Sequence, residues 1–274
     1  MISSRLDRAL TYAVLVLFVV VALVPVLQIV STALSSNEHA QPGLLLPDGL
    51  HWHNFVDAWR RGHFGSYLRS SVIVTVVVVA AATVLSTMAA YAFGTMRFPG
   101  VSVLFYVFLL GLTVPEEALV IPLYYDFRGL GITDTYWALI LPQTAQSVAF
   151  GTYWMRTYFS RSSREITEAA RIDGANSWSV LWRVLVPSGR PAITTLVVIT
   201  FMWTWNEFLL ALVMVSSDAR RTVPLGLAFF QGQHSSDVAL LAAGAVLVAL
   251  PVVIVYLVFQ RRFIEGMLSG AVKE

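Results

Sequence analysis

Cysteine is absent from the 274 residues, which excludes disulfides, thiolate metal centres and cysteine nucleophiles together. Lysine is almost absent too: Lys273 stands alone, and every other basic side chain is an arginine. Charge of either sign is scarce, 12% of residues against 57% hydrophobic, a balance that an ordinary soluble domain does not have. The arginines stand scattered between apolar runs instead of gathering in one patch, so nucleic acid is not an expected partner. No G-x-x-x-x-G-K-[ST] stretch occurs, so the chain has no loop of that kind to cradle ATP phosphates. Neither a nucleophile with a convergent base nor an H-E-x-x-H spacing is found, and no enzymatic activity is expected. His51, His53 and His63 lie near one another, but zinc sites join more ligands in fixed geometry, so the segment reads as a solvated loop and no metal is assigned.

What the sequence has in abundance is long apolar runs. A helix needs roughly 20 apolar residues to cross a hydrocarbon core of about 30 Å. Six stretches reach or approach that length: 10–32, 70–93, 101–123, 136–156, 191–213 and 238–260. The expected fold is therefore an all-α membrane protein with six transmembrane helices. The first stretch follows Arg5 and Arg8 as a secretory signal would, yet its apolar core is long and no A-x-A site closes it, so a retained helix is expected. The third is interrupted by Pro115, Glu116 and Glu117 and should bend or re-enter there. With the N-terminus inside, the cytoplasmic side collects Arg5, Arg8, Arg97, Arg156, Arg161, Arg164, Arg171, Arg183, Arg190, Arg261, Arg262 and Lys273. Only Arg60, Arg61, Arg69, Arg128, Arg220 and Arg221 fall outside. The asymmetry favours both termini in the cytoplasm.

Residues 35–69 then form an outer segment, with a turn at L-L-L-P-D-G-L and a short amphipathic helix over H-W-H-N-F-V-D-A-W, where Trp52 and Trp59 suit the aromatic belt of a membrane interface. A tight inner turn occupies 90–100. The longest polar interval on the cytoplasmic side runs from Ser162 to Pro191. Ser162 and Glu165 have capping-box spacing, which predicts a helix starting near Ser163. Ile166, Ala169, Ala170 and Asp173 share one face of it, and Gly174 supplies the left-handed cap at its end. Ser177 is expected to cap a second helix with Val180, Leu181 and Val184 as its apolar face, stopped by Pro187 and Pro191. This is a helix-turn-helix outside the bilayer between spans four and five. On the pattern alone an amphipathic linker would read the same way.

Polar residues inside the spans stand out because each costs free energy in hydrocarbon. Gln143 and Gln146 lie at helical spacing in the fourth span, as bundle contacts or as lining of a cavity. In the fifth, F-M-W-T-W-N-E-F-L-L-A-L places Trp203, Asn206, Glu207 and Leu210 on one helical face. An aromatic ring beside an amide and a carboxylate suits a sugar, whose C–H face stacks while its hydroxyls form directional hydrogen bonds. A structural contact with a partner subunit would use the same residues.

Glu168-Ala169-Ala170, three residues, Gly174, nine residues, then Val184-Leu185-Val186-Pro187 resembles the EAA loop of inner-membrane permease subunits of binding-protein-dependent ABC importers. Val184 and Val186 depart conservatively from that family's I-x-L-P. The W-N-E-F string, the Y-W-A-L-I-L-P stretch ending at Pro142 and the tail G-M-L-S-G-A-V-K-E resemble the carbohydrate-type members. The resemblance implies the type I importer permease fold. Its parts would be an N-terminal helix with an extracytoplasmic segment over 1–69, a permease transmembrane domain over 70–262 and a cytoplasmic tail over 263–274. It further implies ATPase coupling through Glu168, Ala169, Ala170, Asp173, Gly174 and Pro187, with a solute path past Trp203, Asn206, Glu207, Gln143 and Gln146. Partners would be a second homologous permease, two ATP-binding cassette subunits that hold the ATP and magnesium, an extracytoplasmic solute-binding protein and a carbohydrate, in a prokaryotic plasma membrane; the chain itself would hold no cofactor. Two other classes compete. An ion-coupled carrier would use Glu207, Glu116 and Glu117, though the two halves lack the matched broken helices of such folds. A scaffold would display the loop and transport nothing.

Overall fold

The computed structural model describes residues 5–36, 38, 46–161, 164–228, 230 and 237–271, and every regular element among them is helical. In chain order these are α1 (Arg5–Leu34), α2 (His53–Arg61), α3 (Phe64–Thr95), α4 (Val101–Leu110), α5 (Glu116–Gly129) and α6 (Tyr136–Arg161). There follow α7 (Arg164–Ile172), α8 (Ser177–Ser188), α9 (Arg190–Trp205), α10 (Leu209–Met214), α11 (Val223–Ala228) and α12 (Val238–Ala271). The chain divides into two compact units, Met1–Gly65 with Gly226–Leu250, and Ser66–Leu225 with Pro251–Glu274.

Three helices have the length and apolar composition to cross a bilayer alone among the described residues: α1, α3 and the Val238–Arg261 part of α12. The other expected spans differ for physical reasons. The third is split, α4 ending at Leu110 and α5 starting at Glu116, because Pro115 sits extended at ψ 133° and gives the chain its break. The fourth, α6, is 26 residues long, but Gln143, Thr144, Gln146, Ser147 and Thr152 thin its apolar run. The fifth is also split, α9 ending at Trp205 and α10 starting at Leu209. Past the last span the backbone stays helical to Ala271, so the tail continues α12; Val272, Lys273 and Glu274 lie outside the described residues.

In the first unit, Asn54 of α2 donates from Nδ2 to the carbonyls of Ala33 and Ser35, both at 2.9 Å. This ties the short amphipathic helix to the end of α1. Phe64 stacks on Phe230 at 6.5 Å between centroids, and Arg61 pairs with Asp237 at 3.5 Å.

Two buried clusters stand out among the described residues of the second unit. One gathers Val74 and Val78 of α3, Val120 and Phe127 of α5, Leu139 of α6, and Leu210 and Met214 of α10. The other gathers Ala90 and Tyr91 of α3, Met155 and Phe159 of α6, Val180, Leu181 and Leu185 of α8, and Ala192 and Leu196 of α9. Lipid tails are as apolar as leucine, so helices in a bilayer associate by close packing at small residues. Gly151 of α6 shows how close: a Cβ there would stand 2.7 Å from Ser86 Cβ and 3.1 Å from Leu196 Cδ1.

Candidate functional site

The polar interval between α6 and α9 folds as a compact elbow. Helix α7 ends in a full Schellman cap. Gly174 takes φ +84°, the Gly174 amide donates to the Arg171 carbonyl at 3.1 Å and the Ala175 amide to the Ala170 carbonyl at 2.9 Å. Nothing lies within 4 Å of where a Gly174 Cβ would be, so the glycine is required by the backbone angle alone. Ser162 and Ser163, on which the capping-box expectation rests, lie outside the described residues.

Three expectations for the second helix need correction. Its cap is Asn176, not Ser177: Asn176 is extended and its Oδ1 accepts the Ser179 amide at 2.8 Å, which leaves Ser177 as the first helical residue. Its buried face is Val180, Leu181 and Leu185, with Val184 only partly covered, because residues 180–185 form a π-turn whose longer repeat brings i+5 onto the face where i+4 would fall. Pro187 lies inside the helix rather than at its stop. It has no amide to donate and its ring presses on the carbonyl four residues back, so the widened turn just before it relieves both. The stop is Gly189, after which α9 leaves at 80° to α8 with Pro191 in its first turn.

That bend is held from several sides. Tyr158 Oη donates to the Ser188 carbonyl at 2.7 Å, and Trp154 Nε1 to the Ala192 carbonyl at 3.0 Å. A Cβ on Gly189 would sit 3.0 Å from the Leu185 carbonyl and 3.2 Å from Tyr158. Ala170 and Ala175 pack against the same cluster that joins α3, α6, α8 and α9. The elbow therefore shares a core with the spans instead of hanging from them. Arg156 adds a further tie: its Nε donates to the Phe93 carbonyl at 3.2 Å and its guanidinium lies 4.0 Å over the Phe105 ring.

Glu168 and Ala169 are exposed on α7, and Asp173 is exposed just past its end. Around them stand uncovered apolar side chains, Ile166, Ile172 and Trp178, with Ile172 86% exposed, as a surface awaiting a partner would have. Beside α7 a cavity of about 760 Å³ is lined by Arg97, Glu168 and Arg171 among others.

A second cavity, of about 790 Å³, opens along α6 and α9 and brings together Gln143, Gln146, Trp203, Asn206 and Glu207. The single helical face expected for the last three does not exist. Helix α9 ends at Trp205 because Asn206 turns back, its Nδ2 donating to the Met202 carbonyl at 2.7 Å. Glu207 then caps α10, its Oε1 accepting the Leu210 amide at 2.7 Å. Leu210 turns into the neighbouring apolar cluster. A broken backbone at membrane depth is tolerated where it lines a cavity. Trp203 is half exposed and meets Phe150 edge-on at 4.8 Å between centroids. The side chain of Gln143 is buried, yet its Oε1 has no partner among the described residues, and Thr204 Oγ1 is in the same position.

Sequence reasoning had read Glu116 as a helix interrupter and as a member of the competing ion-coupled scheme. It lines this cavity too, together with Gln146 and Glu207. Its sequence signal was two acids following a proline inside an apolar run.

A polar tie that the sequence did not announce joins the turn before α6 to the segment after α10. Asp134 sits at φ +56° and accepts from the Ser217 amide at 2.9 Å, Ser217 Oγ at 2.8 Å, the Ser216 amide at 3.1 Å and Arg220 Nη1 at 3.0 Å. The Ser217 amide above all, helped by its hydroxyl and by the Arg220 charge, holds this carboxyl below its usual range.

Comparison with known proteins places this geometry. Residues 82–268 match the family model described as binding-protein-dependent transport system inner membrane component. The trehalose transport system permease protein SugB of Mycobacterium tuberculosis is 35% identical over 97% of this chain and 98% of its own length. The diacetylchitobiose uptake system permease protein NgcG of Streptomyces coelicolor is 31% identical over 98% of this chain and 90% of its own. A crystal structure of a bacterial ABC transporter involved in the import of the acidic polysaccharide alginate contains a chain that superposes with a TM-score of 0.79 at 25% identity, over 96% of this chain and 99% of that one.

Proposed function

Because the chain belongs to the family of inner-membrane components of binding-protein-dependent transport systems, we propose that it is the permease subunit of an ATP-driven importer that carries a sugar or related polyol-like solute by alternating access. The observation that carries this reading is the capped elbow, fused through one core to α3, α6 and α9 and bearing exposed apolar side chains on its far side. An engine on another polypeptide is the natural occupant of that surface. Two ATP-binding cassette subunits would supply it and hold the ATP and magnesium. Glu168 and Asp173 would make charged contacts, while Ala169 and Ala170 allow close approach. A second homologous permease would complete the path, and an extracytoplasmic binding protein would deliver the solute. The surplus of arginine on the elbow's side supports both termini facing the cytoplasm.

Names of relatives support the solute class: the Mycobacterium and Streptomyces proteins are named for trehalose and diacetylchitobiose. The cavity fits such cargo, with a tryptophan face beside amides and carboxylates. The test is uptake by the reconstituted complex in vesicles. Transport that needs ATP on the elbow's side and ignores ion gradients is expected. Transport driven by an ion gradient without ATP would assign Glu207 to ion coupling instead, and absence of any uptake would leave a scaffold.

A further inference from the structure

The cavity between α6 and α9 holds two carboxyls, and no cationic side chain appears among its described lining residues. Glu207 reaches it from the break after α9 and Glu116 from the first turn of α5, so both carboxyls line one cavity together with Gln146. Gln143, 94% buried on a relative exposure of 6%, lines the same cavity with Oε1 unpartnered. Among the described residues neither arginine nor lysine lines it. A buried acceptor left unpaired is unfavourable until a donor arrives, so the ligand that completes this site brings donors. Hydroxyls and ammonium groups are donors. A carboxylate is an acceptor only and carries the wrong sign.

We propose that Glu116, Glu207 and Gln143 make this cavity a charge filter that admits saccharides rich in hydroxyl or amino groups and turns uronates away. The inference rests on the cavity being the solute path and adds which solutes can use it. It also gives the breaks at 111–115 and 206–208 a common purpose, since a continuous helix at either place would carry its acid to a different face.

The absence of native cysteine makes the test direct. In the assembly of this chain with its partner permease and ATPases, all made free of cysteine, Met202→Cys puts one thiol at the cavity. Labelling by an uncharged maleimide in lipid nanodiscs, without the binding protein, then reads occupancy as protection. The probes are disaccharides of one linkage built from glucose, glucosamine or glucuronic acid. The first two are expected to protect, and the third to require at least ~10-fold higher concentration. In Glu116→Gln/Glu207→Gln the gap should close to within about twofold, since glutamine keeps the shape and its Oε1 can still accept the Leu210 amide. Retained ATP hydrolysis by the variant assembly shows that it is folded. Equal protection by the uronate in the parent protein overturns the filter, as does a gap that persists in the double variant. Lack of protection by every saccharide overturns the path reading as well, and so separates the two.

Discussion

Replacing Gly174 isolates the elbow's backbone from its contacts. The residue holds φ +84° with open space where a Cβ would go, so a new side chain is penalised through the backbone and not by collision. For an L-residue that penalty is about 1–2 kcal/mol. Alanine should cost about 1 kcal/mol and valine, whose branched Cβ is a true outlier in this region, at least about 2 kcal/mol. Asparagine tolerates the left-handed region and should cost only a few tenths of that (~0.3 kcal/mol). At about 2 kcal/mol the capped elbow loses roughly 30-fold in population to forms in which the end of α7 frays. In vesicles carrying the full importer, solute moved per ATP hydrolysed should therefore fall in the order parent, Gly174→Asn, Gly174→Ala, Gly174→Val, while the binding protein still docks. Parent-like coupling in Gly174→Val would refute the reasoning. So would an asparagine variant as damaged as the valine one, since that result would point to a clash with the partner instead of backbone strain.

Two further outcomes follow from close packing and from charge. Gly151→Ala should lower stability by about 1–3 kcal/mol, the usual range for overpacking, because its Cβ would meet Ser86 and Leu196; in thermal unfolding the double change with Ser86→Gly should recover most of the loss, and an additive pair would contradict the contact. Asp134→Asn should keep the left-handed backbone but lose the charge-assisted bonds, about 1 kcal/mol at neutral pH. Asp134 has a folded value below the ordinary 3.8, so its contribution is present above that value and disappears as pH falls through the lower folded one. The melting gap between parent and Asp134→Asn should accordingly close in acid, and a gap constant down to pH 2 would exclude the charge as its source.

Apolar run length made the membrane class and the three unbroken spans α1, α3 and α12 legible, because a bilayer demands roughly 20 residues whatever the fold. Gly174 was legible for a similar reason, since few residues other than glycine accept that backbone angle. What stayed hidden depends on alternatives that a local pattern cannot rank. Asn176 and Ser177 are both good caps, and the choice fell to the one whose side chain reaches the Ser179 amide. The π-turn at 180–185 moved the buried face from Val184 to Leu185, a shift set by Pro187 several residues downstream. Helical periodicity carried past Trp205 put Glu207 on a continuous face, whereas local bonds from Asn206 and Glu207 end one helix and start another. The shared cavity of Glu116 and Glu207 joins residues 91 positions apart, and no spacing rule reaches that far.

Helix α9 is where the elbow and the cavity become one mechanical object. Its 16 residues make a rod of about 24 Å at 1.5 Å per residue, free of glycine, with its only proline in the first turn. At one end lies the 80° bend at Gly189, pinned by Tyr158 and Trp154. At the other, Trp203 and Thr204 line the cavity just before the break at Asn206. Leu196, fully buried midway along it, binds the rod to the cluster shared with α3, α6 and α8. Packed cores resist gradual deformation, so a displacement applied at the elbow passes along α9 as a tilt. A tilt of about 10° over about 24 Å moves the far end by roughly 4 Å, comparable to the width of a sugar ring. The break at 206–208 then has a mechanical consequence besides its chemical one: it lets the cavity wall follow α9 while α10 stays seated in its own cluster through Leu210 and Met214.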